Sequence, residues 1–80
     1  MRRVYRIDKK PEAISEIQIY LRALSFVYAD LPNVGIDGIF GPETEDAVRA
    51  FQRFYSRTET GYVDAETFAL LYREYLSARG

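Results

Sequence analysis

Apolar residues recur at steps of three and four in three stretches of the 80-residue chain. This spacing places apolar side chains along one face of a helix. Two segments rich in loop-forming residues, "ADLPNVG" and "SRTETG", separate the three stretches. The pattern therefore predicts an all-α fold, a small three-helix bundle with helices near residues 12–29, 42–55 and 64–78.

The second and third predicted helices have clear start signals. Pro42 suits the first helical position, and Glu43 behind it is favourable near the positive N-terminal end of the helix dipole. Asp64 is placed to cap the third helix by accepting a hydrogen bond from the N–H of Glu66 or Thr67. These signals place the beginnings of both helices independently of the apolar pattern.

The residues that lead into these two helices form an internal repeat. "DGIFGPET", which starts at Asp37, aligns with "TGYVDAET", which starts at Thr60. Each segment has Gly at its second position, an apolar residue at its fourth and Glu-Thr at its end. The repeat therefore predicts two similar loop-to-helix turns.

The first of these turns can be explained residue by residue. Gly38 and Gly41 permit backbone angles or close approaches that a β-carbon would obstruct. The Asp37 carboxylate can accept hydrogen bonds from the N–H groups of the residues that follow it. We expect Phe40 to enter the core between the helices and Ile39 to be exposed.

Composition argues against catalysis and against a metal centre. The chain has no Cys and no His, so a disulfide and a His-dependent triad are excluded, and a zinc site would need carboxylates alone. We therefore predict a protein that is not an enzyme and that uses no metal and no cofactor. No apolar run approaches the roughly 20 residues needed to cross a bilayer, so we predict no membrane insertion.

Charge is distributed unevenly along the chain, whose formal net charge is −1. Residues 1–10 carry five basic side chains and one acidic one, and the remainder is acidic overall. We therefore divide the chain into a basic N-terminal arm or linker (1–10) and a domain (11–80). Such an arm either binds an anionic polymer or serves as a solvated linker. No helix carries a basic stripe, which predicts that the chain binds no nucleic acid.

Three motifs together make the chain resemble the peptidoglycan-binding domain found beside bacterial cell-wall hydrolases. The family pattern D-G-x-F-G-x-x-T-x-x-A-V-x-x-F-Q is matched by residues 37–52. T-G-x-V-D-x-x-T is matched by residues 60–67, and the opening I/V-Q-x-x-L-x-x-L by residues 17–24. The resemblance covers about residues 14–71, and the combination of motifs is specific.

Two departures from the family pattern have structural consequences. Phe68 stands where the family usually has Trp, which keeps an aromatic residue in the core. Ser56 and Arg57 stand where Gly-Leu usually follows the second helix. Because Gly is the residue most easily placed in the left-handed conformation that ends a helix, we expect this end to be capped differently.

The resemblance implies a non-catalytic module that anchors a parent cell-wall enzyme to peptidoglycan, in the extracellular bacterial cell wall and as part of a longer exported protein. Its partner would be the glycan or the stem peptide of that polymer, bound by a monomer. The alternative is a protein–protein interaction module on the same fold that has lost polymer binding. A loop groove that is closed, or occupied by the chain itself, would favour this alternative.

The candidate ligand-binding residues lie in and around the first turn. They are Gln18, Tyr28, Asp37, Gly38, Ile39, Gly41 and Gln52. Exposed tyrosines offer an apolar face and a hydroxyl group, which suit sugar and peptide ligands. Asp37 either forms the turn or contacts the ligand. Gln18 and Gln52 either satisfy backbone groups of the loops or face the ligand.

Overall fold

Three helices dominate residues 6–79, the part of the chain that the computed structural model describes. They are α1 (Pro11–Ser25), α2 (Pro42–Phe54) and α3 (Ala65–Arg79). α1 packs against both other helices, and most extensively against α3. The prediction of a small all-α bundle is confirmed. Within the described residues, no helix is both long and apolar enough to cross a membrane.

The starts of α2 and α3 follow the signals in the sequence. Pro42 occupies the first turn of α2, and Gly41 is its N-cap, without a capping bond from a side chain. The N–H of Thr67 donates to Asp64 Oδ1 at 2.8 Å, so the predicted cap of α3 is confirmed. The two repeated turns therefore lead into helices that are capped by different means.

α1 ends at Ser25, four residues before its predicted end. The N–H groups of Phe26 and Val27 donate to carbonyl oxygens three residues earlier, which tightens the last turn and ends the helix. Tyr28 fits the apolar stripe by spacing but lies beyond the helix, with its ring 5.1 Å from the ring of Phe54. Its contact with the core comes from a turn, so spacing alone placed the boundary too late.

The end of α2 has the cap that glycine usually provides, although no glycine is present. Ser56 has a φ of 57°, which is the left-handed conformation. Its N–H donates to the carbonyl oxygen of Arg53 at 3.0 Å, and the N–H of Arg57 donates to that of Gln52 at 2.7 Å. This pair of bonds is the Schellman motif. The expectation of a different cap is therefore wrong, because Ser56 adopts the strained conformation itself.

The core lies between the three helices and holds the connecting loops in place. Its largest fully buried apolar side chains come from every helix and from two loops: Ile17, Leu24, Val34, Val48, Phe51, Val63 and Leu71. Phe40 and Phe68 are half-buried and pack against this cluster. The loops that precede α2 and α3 are therefore anchored from below, which limits their movement.

The segment that precedes α1 is packed on the domain. Residues Arg6–Asp8, which we call the strap, lie against the turn that precedes α3. The N–H of Ile7 donates to the carbonyl oxygen of Val63 at 2.7 Å, and the N–H of Val63 donates to Asp8 Oδ2 at 2.8 Å. The basic arm predicted for residues 1–10 is thus joined to the domain from residue 6 onward, and its residues 1–5 lie outside the described residues.

Candidate ligand-binding site

The first loop (Asp37–Gly41) is held by the amide of Gln18, which is only 1% exposed. Gln18 Oε1 accepts hydrogen bonds from the N–H groups of Asp37 and Gly38, both at 3.0 Å. Gln18 Nε2 lies 2.9 Å from Asp37 Oδ1, 3.0 Å from the carbonyl oxygen of Ile39 and 3.0 Å from the hydroxyl of Thr44. The amide is fully used by the loop, so of its two possible roles the structure displays the positioning of loop backbone.

The second loop (Thr60–Asp64) is held in the same way by Gln52, which is also buried. Gln52 Oε1 accepts a hydrogen bond from the N–H of Gly61 at 3.1 Å. Gln52 Nε2 donates to the hydroxyl of Thr60 at 2.9 Å and to the carbonyl oxygen of Tyr62 at 3.2 Å. The internal repeat of the sequence therefore corresponds to a repeated device, in which a buried glutamine on the preceding helix holds each loop.

The side chain and backbone of Asp37 and Gly38 shape the first loop further. Asp37 Oδ1 accepts a hydrogen bond from the N–H of Ile39 at 3.0 Å. This bond, followed by the one from the Gln18 amide, lowers the pKa of the Asp37 carboxyl, because both favour the charged form. Gly38 has a φ of 74°, and a β-carbon there would lie 3.1 Å from the Ser15 hydroxyl. Asp37 thus forms the turn, while contact with a ligand stays a prediction.

An open cavity of about 220 Å³ lies between the first loop and the start of α2. It is lined by Gly35, Asp37, Ile39, Gly41, Pro42, Glu43 and Thr44. Ile39 is 66% exposed, as expected, and stands at the edge of the cavity. Glu43 Oε1 accepts a hydrogen bond from the N–H of Gly35 at 3.2 Å, which links two residues of the lining. This first cavity combines the apolar side chains of Ile39 and Pro42 with the carboxylates of Asp37 and Glu43.

The structure brings together three of the seven predicted site residues, since Asp37, Ile39 and Gly41 line the first cavity. Gly38 belongs to the same loop but faces α1. Gln18 lies beneath that loop, and Gln52 lies beneath the other one. Tyr28 packs on the aromatic ring of Phe54 near the end of α2 and does not line the first cavity.

A second cavity, of about 330 Å³, was missed by the sequence analysis. It is lined by Gln52, Ser56, Arg57, Thr58, Thr60, Asp64, Glu66, Thr67 and Leu70. Five of these residues stand 23 positions after residues that line the first cavity. The internal repeat could have revealed it. Because the repeat predicts a second turn like the first, it also predicts a second cavity beside that turn.

Comparison with known proteins places these features in a family. A family model described as "Putative peptidoglycan binding domain" matches residues 10–71. The chain is also similar to the N-acetylmuramoyl-L-alanine amidase CwlA of Bacillus subtilis (strain 168), with 48% identity over 50 residues. That match covers 60% of this chain and 18% of the amidase, so the chain spans less than a fifth of its relative's length. No solved structure matches the chain.

Proposed function

Because the chain belongs to the peptidoglycan-binding domain family, we propose that it is a non-catalytic module that holds a parent enzyme on the cell wall. The family match over residues 10–71 supports binding of peptidoglycan, and the amidase relative supports a cell-wall hydrolase as the kind of parent protein. In this proposal the module acts as a monomer outside the bacterial cell, within a longer exported chain. The absence of His and Cys from the sequence supports binding without catalysis.

We place the ligand at the first loop and the first cavity. This placement rests on one observation: the backbone of the loop is held by a buried side chain, and the opposite side of the loop is exposed to solvent. Gln18 fixes its backbone at Gly38 and Ile39, while the side chain of Ile39 projects outward. A site that is already ordered loses little conformational entropy when a ligand binds, so even a small surface can contribute to affinity. Weak binding by one module would be strengthened by tandem copies on the same polymer.

The same observation weakens the protein–protein alternative. That alternative would be favoured by a loop groove that the chain itself occupies. The strap covers the edge of the second loop through its bonds to Val63, but no strap residue lines the first cavity. Among residues 6–79 the strap covers the edge of the second loop at Val63, and it lines neither cavity, so the first cavity is accessible to an external polymer.

Sedimentation with insoluble peptidoglycan tests the proposal. We expect the unsubstituted chain to sediment with the polymer and Ile39→Asp to lose most of this binding. The new carboxylate would be repelled by that of Asp37 and would be costly to remove from water. Tyr28→Ala should reduce binding less, since Tyr28 lies outside the first cavity. Leu76→Asp on α3, which is 40% exposed and remote from both cavities, is the matched control.

Melting curves must accompany these measurements, so that lost binding is separated from lost folding. If the folded, unsubstituted chain stays in the supernatant, the proposed function is wrong. If the unsubstituted chain and Ile39→Asp sediment equally well, the function stands and the site lies elsewhere.

A further inference from the structure

The strap shows how one of the two loops binds a second segment of the chain through backbone groups, although only Arg6 of the strap is extended and Ile7 and Asp8 turn away. Both backbone groups of Val63 are bound by it: the carbonyl oxygen accepts from the N–H of Ile7 at 2.7 Å, and the N–H donates to Asp8 Oδ2 at 2.8 Å. Arg6 and Asp64 form an antiparallel bridge. The Arg6 guanidinium also lies 4.9 Å from the centre of the Tyr62 ring. At the outer edge of the second loop, the backbone of Val63 is therefore paired with one amide N–H and one carboxylate oxygen.

The internal repeat places Phe40 of the first loop where Val63 stands in the second. The backbones of the two loops are alike. Gly38 and Gly61 have φ values of 74° and 82°, and each donates its N–H to the buried glutamine of its loop, Gln18 or Gln52. In both loops the residue before this position turns its carbonyl oxygen toward that glutamine. The peptide groups of Phe40 and Val63 therefore belong to the opposite, outer edge of their loops.

The two outer edges differ in occupancy. Among residues 6–79, neither the N–H nor the carbonyl oxygen of Phe40 forms a hydrogen bond. Buried backbone groups are nearly always paired, so an unpaired donor and acceptor at one residue indicate an edge that faces solvent. An unpaired backbone donor and acceptor can form main-chain hydrogen bonds with a bound peptide.

We propose that the outer edge of the first loop at Phe40 binds the peptide part of peptidoglycan, through the same pair of hydrogen bonds that the strap makes with Val63. This inference rests on the proposed function and deepens it, because it assigns the ligand to the stem peptide. An amide N–H of the ligand donates to the carbonyl oxygen of Phe40. A carbonyl or carboxylate oxygen of the ligand accepts from the N–H of Phe40.

The chemistry of the first loop favours a peptide over a sugar. Stacking on a sugar ring needs an exposed aromatic face, but the ring of Phe40 is half-buried against the core, and the exposed apolar side chain of the loop is the aliphatic Ile39. Only one residue of the loop takes part in the pairing, so alternating L and D residues in the ligand are no obstacle. Asp37 and Glu43 line the first cavity, and their carboxylates would favour an amine or amide N–H group of a peptide that extends from Phe40 into that cavity.

NMR titration of the ¹⁵N-labelled chain tests this assignment. One arm uses a synthetic stem tetrapeptide, and the other uses soluble glycan strands from which an amidase has removed the peptides. We expect the tetrapeptide to move the amide proton of Phe40 downfield and to slow its exchange with solvent. The amide of Val63 is the internal control and should not respond, because Asp8 already binds it.

The outcomes separate this inference from the proposed function. If the stripped glycan binds and the tetrapeptide does not, the ligand is the sugar and the inference is overturned, while the module still binds peptidoglycan. If the tetrapeptide binds without a response at Phe40, the outer edge is the wrong place. If intact peptidoglycan fails to sediment the chain as well, both statements fall together.

Discussion

The first and second loops share one backbone frame but differ in what surrounds them. The first loop is tied to the rest of the protein by Gln18, with Asp37 supporting it from within. The second loop is tied by Gln52 and, in addition, by the strap through Asp8. Arg49 also packs against the second loop, because a β-carbon on Gly61 would lie 2.9 Å from the Arg49 guanidinium. The repeated turn is thus a structural unit, and its surroundings decide whether it remains free to bind.

The helix caps show the same contrast. Asp64 caps α3 with its carboxylate, whereas Gly41 at the equivalent position caps α2 without a side chain. A β-carbon on Gly41 would meet nothing within 4 Å, so space does not explain the glycine. The carboxylates of Asp64 and Asp8 bind backbone N–H groups at the second loop, and no side chain of the described residues does so at the equivalent positions of the first, although both loops border a cavity. This difference supports placing the ligand at the first loop.

The largest effect should come from removing the amides beneath the loops. Gln18→Ala leaves loop donors and acceptors without partners, and we expect it to lower the free energy of unfolding by about 3 kcal/mol. Gln52→Ala should lower it by a similar amount, measured by chemical denaturation. Local hydrogen exchange should separate the two, because the strap and Arg49 also hold the second loop. Gly38 should exchange freely in the first variant, and Gly61 should stay partly protected in the second.

Gln18→Met controls for the cavity that alanine leaves, because it keeps most of the side-chain volume and loses the hydrogen bonds. It should behave like Gln18→Ala. Equal exposure of both loops in the two alanine variants would show that the strap and Arg49 add nothing to the second loop.

The strap should matter for stability almost as much. Asp8→Ala removes the acceptor of the Val63 N–H and the partner of Arg6, and we expect a loss of about 2 kcal/mol. Lys9→Ala, at an exposed neighbouring position, is the control and should change the melting temperature little. A melting temperature of Asp8→Ala equal to that of the parent would mean that the second loop needs no cover, and the contrast between the loops would lose its energetic basis.

The sequence predicts the shared part of the two loops well and their differences poorly. Helix starts and repeated turns depend on local chemistry, as at Pro42 and Asp64, and both starts are confirmed. The strap depends on a contact between Asp8 and Val63, which are 55 positions apart, and nothing in the local pattern of a basic arm indicates it. Tyr28 shows the same limit, because spacing cannot tell a helix from a turn that packs on the same core.

In the candidate site, too, the sequence predicts roles that depend on neighbouring residues and leaves open those that depend on distant contacts. The role of Asp37 in the turn follows from its position beside Gly38, and the structure displays that role. For Gln18 and Gln52 the sequence leaves two roles open, because a polar residue beside an apolar stripe can point either way. Only their burial and their partners identify them as supports of the loops.

A smaller effect, of opposite sign, should follow from relieving strain at the rim of the second cavity. A residue other than glycine in the left-handed conformation costs about 1 kcal/mol, so Ser56→Gly should raise the free energy of unfolding by about that amount. Ser77→Gly, within α3 and exposed, should lower it by about 1 kcal/mol. Sedimentation with peptidoglycan should be the same for Ser56→Gly as for the parent, and a loss of binding would bring the second cavity into the site.

The smallest effect concerns acid, and it distinguishes the two loops by charge. The N–H of Ile39 and the Gln18 amide lower the pKa of the Asp37 carboxyl in the folded chain. The stability that results is therefore present above the ordinary carboxyl pKa and is lost as the pH falls through the lower folded value. The charge is exposed, so screening by solvent keeps the effect modest. The second loop has Thr60 at this position, which does not titrate.

We therefore expect Asp37→Asn to lower the melting temperature at neutral pH and to match the parent in acid, because protonation removes the same charge. Thr60→Ala should lower the melting temperature by an amount that does not change with pH. The comparison uses differences from the unsubstituted chain, because Arg53 also lowers the pKa of Glu59, and that effect is common to all the variants. The difference in melting temperature between Asp37→Asn and the unsubstituted chain could instead stay constant from neutral pH into acid. That result would show that the carboxylate charge does not hold the first loop, and that hydrogen bonds to a neutral acceptor are sufficient.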